Sequence, residues 1–302
     1  MGYRQDQIAK GLKTQRTYTI GVIVSAVENP FFASVVKGIE DEAAESEHSL
    51  IICDTDKTWR KEVDYIDELI QKKVDGAIFA PTGETESNAK HLIQNDIPFV
   101  FIDRKIESIQ ADSVLSDNVS GARKATSYLI EQGHERIGII LGLEEISTSK
   151  ERYEGYEKAL QEYGIEVQEE LVVRGNYKAS GGLAATKQLL SLDNPPTAIL
   201  ATNNRTTVGA IKAIKKSGLR WPQEITLVGF DDLEWLDIFD IPLTTVAQQP
   251  RKMGERAAQL LLKRINEKNF GEETEEVRLD VELKVREPFK STLLGDSEQN
   301  KK

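Results

Sequence analysis

The chain has 302 residues, of which 39% are apolar and 29% charged, and its formal net charge is −11. This length exceeds the usual size of one hydrophobic core, so two lobes are expected. The single cysteine, Cys53, excludes an internal disulfide, no apolar run approaches the ~20 residues of a membrane span, and the polar N-terminus is unlike a signal peptide. We therefore interpret the chain as cytoplasmic and expect its acidic body not to bind nucleic acid through its broad surface.

Residues 1–17 differ in character from the acidic body. Ile8, Ala9 and Leu12 could share one face of a two-turn helix, because positions three and four apart are neighbours. Basic side chains surround that face: Arg4, Lys10, Lys13 and Arg16. The pattern favours a short helix and basic linker that meet a polyanion, and a solvated N-terminal extension is the alternative.

Short apolar runs rich in β-branched residues alternate with segments of helical period along the rest of the chain. After the first run, Phe32, Val35, Val36, Ile39 and Ala43 form a stripe at helical spacing. Strands that are apolar throughout, separated by amphipathic helices, predict a doubly wound α/β fold with a parallel sheet covered on both faces. The predicted strands are Ile20–Val24, Leu50–Cys53, Ala77–Ala80, Phe99–Ile102, Ile137–Leu141, Ala198–Ala201 and Thr226–Val228.

The strand and helix pattern restarts near the middle of the chain. Ile20–Val24 resembles Ile137–Leu141, and each run is followed, 18 residues after its first isoleucine, by a glycine, Gly38 or Gly155. We expect two similar lobes with a ligand cleft between them, since ligands bind outside the carboxyl ends of parallel strands. Chance similarity of two generic strand and helix starts is the alternative. Beyond about residue 290 the pattern is lost, and residues 289–302 are predicted to form a flexible tail.

The sequence carries no signature of a cofactor or catalytic site. There is no phosphate-binding loop, no GxGxxG after a strand and no GxSxG nucleophile elbow. His48, His91 and His134 lack metal-ligand spacing, and Cys53 is expected to be a buried, inert thiol. We therefore predict no cofactor and no metal.

Polar and aromatic side chains cluster instead just past the predicted strand ends. Amides, carboxylates, an arginine and aromatic faces together suit a hydroxyl-rich ligand such as a sugar, and no acid and base pair is identifiable by spacing, so binding is favoured over catalysis. The residues are Ser25, Asn29 to Phe32, Asp103, Arg104, Arg152, Asn176, Tyr177, Asn203, Asn204, Asp231, Asp232 and Gln248.

Structural roles for several of these residues are open alternatives. Asn29 and Asp103 could cap helices or turns, and Arg152 could be a surface ion-pair residue. One of Phe31 and Phe32 is expected in the core, because both continue the helical apolar stripe.

Read together, many ordered phrases of this sequence resemble the lactose-repressor/galactose-repressor family of bacterial transcription regulators. The resemblance covers essentially residues 2–288. The matching phrases are Gly2-Tyr3-Arg4, Ile8-Ala9 with Leu12, Tyr18 to Val22, Asn29 to Phe32, Val74 to Gly76, Asp117-Asn118, Gly133-His134, Arg152 with Gly155-Tyr156, Gly229 to Asp232 and Pro242 to Val246.

The resemblance implies a periplasmic-binding-protein-like core of two lobes joined by three crossovers. We place these near residues 132–135, 247–250 and 271–276. The first lobe would then comprise residues 18–132 and 250–272, and the second residues 136–247 and 276–288. The resemblance further implies a homodimer that binds operator DNA and a small-molecule effector in the cleft.

Ligand positions carry over from the family one by one. Arg152 is similar to the arginine that grips ligand hydroxyls or a carboxylate, and Asp231 to an aspartate that accepts ligand hydrogen bonds. Asn204 departs from the family, which has an aspartate there. The positions predicted to bind ligand are Phe32, Asp103, Arg152, Asn176, Tyr177, Asn203, Asp231 and Gln248.

The family begins with a helix-turn-helix domain, which this sequence lacks, and the chain opens at the equivalent of the hinge helix. Leu12 is similar to the leucine that wedges into the minor groove, with Ala9 beside it. We expect this chain to be a fragment that binds effector and dimerises but does not bind operator DNA selectively by itself.

We therefore predict the effector-binding and dimerisation core of a repressor of sugar or sugar-acid catabolism, not an enzyme. Effector would act by population shift between open and closed lobe arrangements. The alternatives are a free-standing sugar-binding protein of the same fold and a sugar-modifying enzyme using Asp103 with Asp231. A phosphoprotein co-regulator is a further possible partner.

Overall fold

The computed structural model describes residues 16–83, 86–238, 242–267 and 273–286. These residues form two six-stranded sheets, each covered by helices. The predicted hinge positions Ala9 and Leu12 and the predicted tail, residues 289–302, lie outside the described residues.

The first sheet is parallel throughout, with strand order β11-β5-β4-β3-β1-β2. Its strands alternate with helices along the chain, as the periodicity predicted, except that β4 is followed by β5 without a helix between them. The elements are β1 (Thr19–Val24), α1 (Pro30–Glu45), β2 (Ser49–Asp54), α2 (Trp59–Gln71), β3 (Gly76–Phe79), α3 (Glu86–Gln94), β4 (Phe99–Ile102), β5 (Asp112–Ser116) and β11 (Glu276–Leu279).

The second sheet has the order β12-β10-β9-β8-β6-β7, which repeats that of the first sheet position by position. Its last strand, β12, is antiparallel to β10. The predicted pair of similar α/β lobes is thereby confirmed. The elements are β6 (Ile137–Leu141), α5 (Ser147–Glu162), β7 (Val172–Arg174), α6 (Ala179–Leu190), β8 (Ala198–Ala201), α7 (Asn204–Ser217), β9 (Thr226–Phe230), α8 (Trp235–Ile238), β10 (Thr244–Ala247) and β12 (Glu282–Lys284).

Two helices cross from one lobe to cover the other. Helix α4 (Asn118–Glu131) follows β5 of the first lobe but packs against α5 in the second, and α9 (Pro250–Glu267) follows β10 but packs against α1 in the first. The two glycines of the sequence repeat lie at these contacts. A Cβ on Gly38 would lie 2.1 Å from the Arg251 carbonyl oxygen, and one on Gly155 would lie 2.3 Å from that of Val119. Only glycine allows the backbones to approach so closely.

The lobe boundaries predicted at residues 132/136 and 272/276 are wrong. The first crossover is at Asp117, before α4, because the apolar face of α4 (Ala122, Ala125 and Leu129) is buried in the core of the second lobe. The last lies between Leu279 and Glu282, because β11 extends the first sheet and β12 the second. The middle crossover lies between Ala247 and Pro250.

Cys53 lies within β2 and is buried, and burial raises the pKa of its thiol to about 11. A thiol with so high a pKa is a poor nucleophile, as the sequence predicted. Across the described ranges, no helix combines the length and apolar character needed to cross a bilayer.

Candidate ligand-binding site

A cavity of about 400 Å³ lies between the two lobes, counting its open mouth. Both lobes direct the carboxyl ends of their strands toward it, so the loops after these strands supply most of its lining. The lining residues are Ser25, Ala26, Asn29, Phe31, Phe32, Lys57, Asp103, Arg104, Thr148, Arg152, Tyr177, Asn203, Asp231 and Gln248.

Arg152 is held in a rigid cradle in the second lobe and is only 3% exposed. Its Nε donates to Asn118 Oδ1 at 2.8 Å, and Nη1 donates to the Thr202 carbonyl oxygen. The guanidinium carbon lies 3.8 Å from the centre of the Phe230 ring, a cation–π contact. Arg152 is therefore not a surface ion-pair residue, and its planar fork is fixed before a ligand arrives.

Asp231 follows β9 in a left-handed backbone conformation, with φ of 72°. Its carboxylate accepts hydrogen bonds from the backbone N–H of Asn204 at 3.1 Å and from Gln248 Nε2 at 2.5 Å. Burial raises the pKa of this carboxyl, against the opposing effects of Arg152 and the two hydrogen bonds. The site thus holds a desolvated carboxylate that gains from any further donor.

Asp103 faces the cavity from the first lobe and also has a positive φ, 63°. Its Oδ2 lies 3.0 Å from Nε and 2.9 Å from Nη2 of Arg104. Both side chains are buried, so the pair presents charged hydrogen-bonding groups of both signs to a ligand.

Tyr177 contacts both lobes and lines the cavity between them. A Cβ on Gly142 would lie only 2.0 Å from the Tyr177 ring, so glycine is needed there. The Tyr177 hydroxyl lies 3.0 Å from Thr148 Oγ1, and its carbonyl oxygen accepts a 2.7 Å hydrogen bond from Lys57 Nζ of the first lobe.

Lys57 was not predicted, although it lines the cavity. Burial lowers its pKa to about 8, with further lowering by the positive charges of Arg104, Lys178 and Arg205. A lysine after a turn is typical of a solvated surface, so the only available signal was its place beyond the carboxyl end of β2. Thr148 in α5 was missed as well.

Seven of the eight predicted ligand positions lie around this cavity. The exception is Asn176, which is exposed and not among the lining residues. Phe32 both lines the cavity and belongs to the core of the first lobe, and Asn29 caps α1 by accepting from the Phe31 N–H at 3.1 Å. Phe32 and Asn29 therefore each combine a structural role with a place in the cavity wall.

Direct contacts join the two lobes beside the cavity. Asn204 Nδ2 donates to Asn29 Oδ1 at 2.7 Å, and Arg205 pairs with Glu28 at 2.8 Å. Elsewhere Arg278 of the first lobe binds Glu151 of the second at 2.8 Å. These contacts hold the lobes close together around the ligand space.

Two lobes of like topology, with a polar cavity between them at their strand ends, define a clamshell ligand-binding core. The chain matches, over residues 17–287, the family model described as periplasmic binding proteins and sugar binding domain of LacI family. The chain belongs to this family, as its sequence motifs indicated.

Comparisons with individual proteins agree with this assignment. The chain is 36% identical to the probable HTH-type transcriptional regulator EndR of Paenibacillus polymyxa, over 95% of this chain and 85% of that protein. It is similar to a putative ribose operon repressor from Burkholderia thailandensis, with a TM-score of 0.82 and 34% identity over 89% of this chain and 100% of the other. A complex of the transcriptional regulator CelR with cellobiose has a TM-score of 0.83 and 28% identity, over 93% and 89% of the two chains. The chain is thus the ligand-binding core of a transcriptional regulator.

Proposed function

We propose that the cavity between the lobes binds a sugar or sugar acid and that this binding regulates a repressor of carbohydrate catabolism. The observation that carries the proposal is the fixed Arg152 guanidinium, which lines the same polar cavity as Asp231. Nε and Nη1 of Arg152 are held by Asn118 and Thr202, so the guanidinium is oriented in the cavity wall before a ligand arrives. Arginine and carboxylate groups in one cavity suit ligands that carry many hydroxyls.

The ligand would act by favouring one lobe arrangement. A ligand shifts an equilibrium only by its unequal affinity for the two states, and here the lining residues come from both lobes. The protein would act in the cytoplasm as a homodimer on operator DNA, with Ala9 and Leu12 of the hinge at the minor groove. A phosphoprotein co-regulator is a further partner to test.

The proposal does not include catalysis. The acid and base candidate named from the sequence was Asp103 with Asp231, and Asp103 forms an ion pair with Arg104. A carboxylate fixed in this way favours ligand positioning over proton transfer.

A thermal-shift screen against sugars, sugar acids and sugar phosphates tests the proposal. A ligand at 100 times its Kd adds about 2.7 kcal/mol of stability. We expect Arg152→Ala to lose this gain. Arg123→Ala is the matched control, since Arg123 forms an exposed ion pair with Glu162 in the same lobe. An undiminished gain in Arg152→Ala would reject this site.

A further inference from the structure

A second chamber adjoins the ligand cavity at the boundary between Asp231 and Gln248. Phe31, Asp231 and Gln248 line both spaces, so the two are neighbours that share part of their walls. The second chamber encloses about 840 Å³, counting its open side, and Trp235, Pro30 and Pro250 form part of its wall.

Two buried oxygen acceptors near this boundary have no partner within the described chain. They are Asn204 Oδ1 and Gln248 Oε1. Asn204 is 5% exposed, and its Nδ2 and backbone N–H are both engaged, by Asn29 Oδ1 and Asp231 Oδ2. A buried acceptor without a partner is costly, so a donor such as a ligand hydroxyl would be bound here with a gain in free energy.

An aromatic surface complements these acceptors. Trp235 is 40% exposed at the start of α8 and lines the second chamber. The flat indole ring suits the apolar C–H face of a sugar, while the oxygen acceptors suit its hydroxyls. Among the described residues, no other tryptophan lines either chamber.

The charges of the two chambers differ. Lys57, Arg104 and Arg152 line the first, whereas among the described residues no lysine or arginine lines the second. Asp232 in the second chamber is already paired with Lys284 and Arg286, each at 2.8 Å. Glu234 adds an exposed carboxylate to the same lining. The second chamber therefore disfavours an anion and suits groups that donate hydrogen bonds, such as sugar hydroxyls.

We propose that the second chamber is a subsite for a second, neutral sugar ring, so that the ligand is a disaccharide with one ring bound at Arg152. The inference rests on the proposed function and extends it to the size and charge of the ligand. Asn204 Oδ1 and Gln248 Oε1 accept hydroxyl hydrogen bonds from the second ring, and Trp235 packs against its apolar face.

Isothermal titration with monosaccharides and matching disaccharides tests the subsite. The probes are glucose, galactose and xylose, compared with cellobiose, maltose, lactose and xylobiose. We expect at least one disaccharide to bind about 10-fold more tightly than its monosaccharide. Trp235→Ala should remove most of this advantage and leave the monosaccharide Kd unchanged. Trp59→Ala is the matched control, because Trp59 is also half exposed but lines neither chamber.

The outcomes separate the subsite from the proposed function. Monosaccharide binding without a disaccharide advantage, or equal weakening of both ligands by Trp235→Ala, would overturn the subsite and leave the proposed function standing. Failure of every sugar to bind the wild-type protein would overturn both.

Discussion

Asn204 of the second lobe donates a 2.7 Å hydrogen bond through Nδ2 to Asn29 Oδ1 of the first lobe. The acceptor oxygen is fixed, since it also caps α1 by accepting from the Phe31 N–H. This bond crosses the cleft beside the ligand cavity. The family pattern has an aspartate at position 204. A carboxylate cannot donate this hydrogen bond, so the bond depends on the asparagine of this chain.

Asn204→Asp should therefore weaken closure of the lobes. Two acceptors would face each other in a buried place, which costs about 1–3 kcal/mol. We expect the Kd of the best ligand to rise by about 10-fold or more. The measurement is isothermal titration, with small-angle scattering to follow lobe separation. Asn95→Asp, in an exposed position, is the control, and an unchanged Kd in Asn204→Asp would contradict the role of this bond.

The raised pKa of Asp231 predicts a pH-dependent stability. The folded state binds the proton more tightly than the unfolded state. The carboxyl of Asp231 therefore contributes fully to the free energy of unfolding below its unfolded-state pKa, and this contribution is lost as the pH rises through its folded-state pKa. Asp231→Asn removes the titration and nearly preserves the shape. In urea unfolding we expect the variant to gain stability relative to wild type as the pH rises above the ordinary range of an aspartate carboxyl, while ligand binding is lost. A difference that does not change with pH would reject the burial argument.

Lys57 offers a way to distinguish a neutral ligand from an anionic one. Its pKa is lowered to about 8, so its positive charge is present below that pH and disappears above it. An anionic sugar acid should bind more weakly as pH rises from 7 to 9, whereas a neutral sugar should show little change. Lys57→Met should flatten the profile for the anion. A steep profile that persists in Lys57→Met would mean that another group titrates.

The glycines between the crossed helices predict a packing penalty. Gly38→Ala and Gly155→Ala each place a methyl group against a backbone carbonyl of the partner helix, so the helices must separate. We expect a loss of about 1–3 kcal/mol in the free energy of unfolding for each. Gly83→Ala is the control, because the nearest atom to its added Cβ is 4.0 Å away. Equal stability of all three variants would show that the backbone contact relaxes without cost.

Local pattern was sufficient to predict much of the fold. Uninterrupted apolar runs such as Ile137–Leu141 gave correct parallel strands, since such runs must be buried on both faces. The short strand Val172–Arg174 was missed because three residues carry little periodicity. The crossover at Asp117 was misplaced because only the contact between α4 and α5, distant from any local signal, assigns α4 to the second lobe.

The candidate site was also predicted only in part from the sequence. Arg152 and Asp231 were found from the sequence because they lie near predicted strand ends within recognisable sequence motifs. Asn176 was predicted together with its neighbour Tyr177, but the chain turns there through two residues of positive φ, and only Tyr177 lines the cavity. The unpaired oxygens of Asn204 and Gln248 depend on three-dimensional partners and leave no trace in the sequence.

The exchange of α4 and α9 between the lobes has a consequence for dissecting the molecule. No single cut of the polypeptide yields a complete lobe. Residues up to Ser116 form most of the first lobe, but α9, which covers its sheet together with α1, belongs to the part of the chain after the cut. Neither half is thus an autonomous folding unit, and expressing them separately would expose apolar sheet surface. Engineered sensors built on this scaffold should accordingly insert a reporter in an outer loop and leave the covalent path between the halves intact.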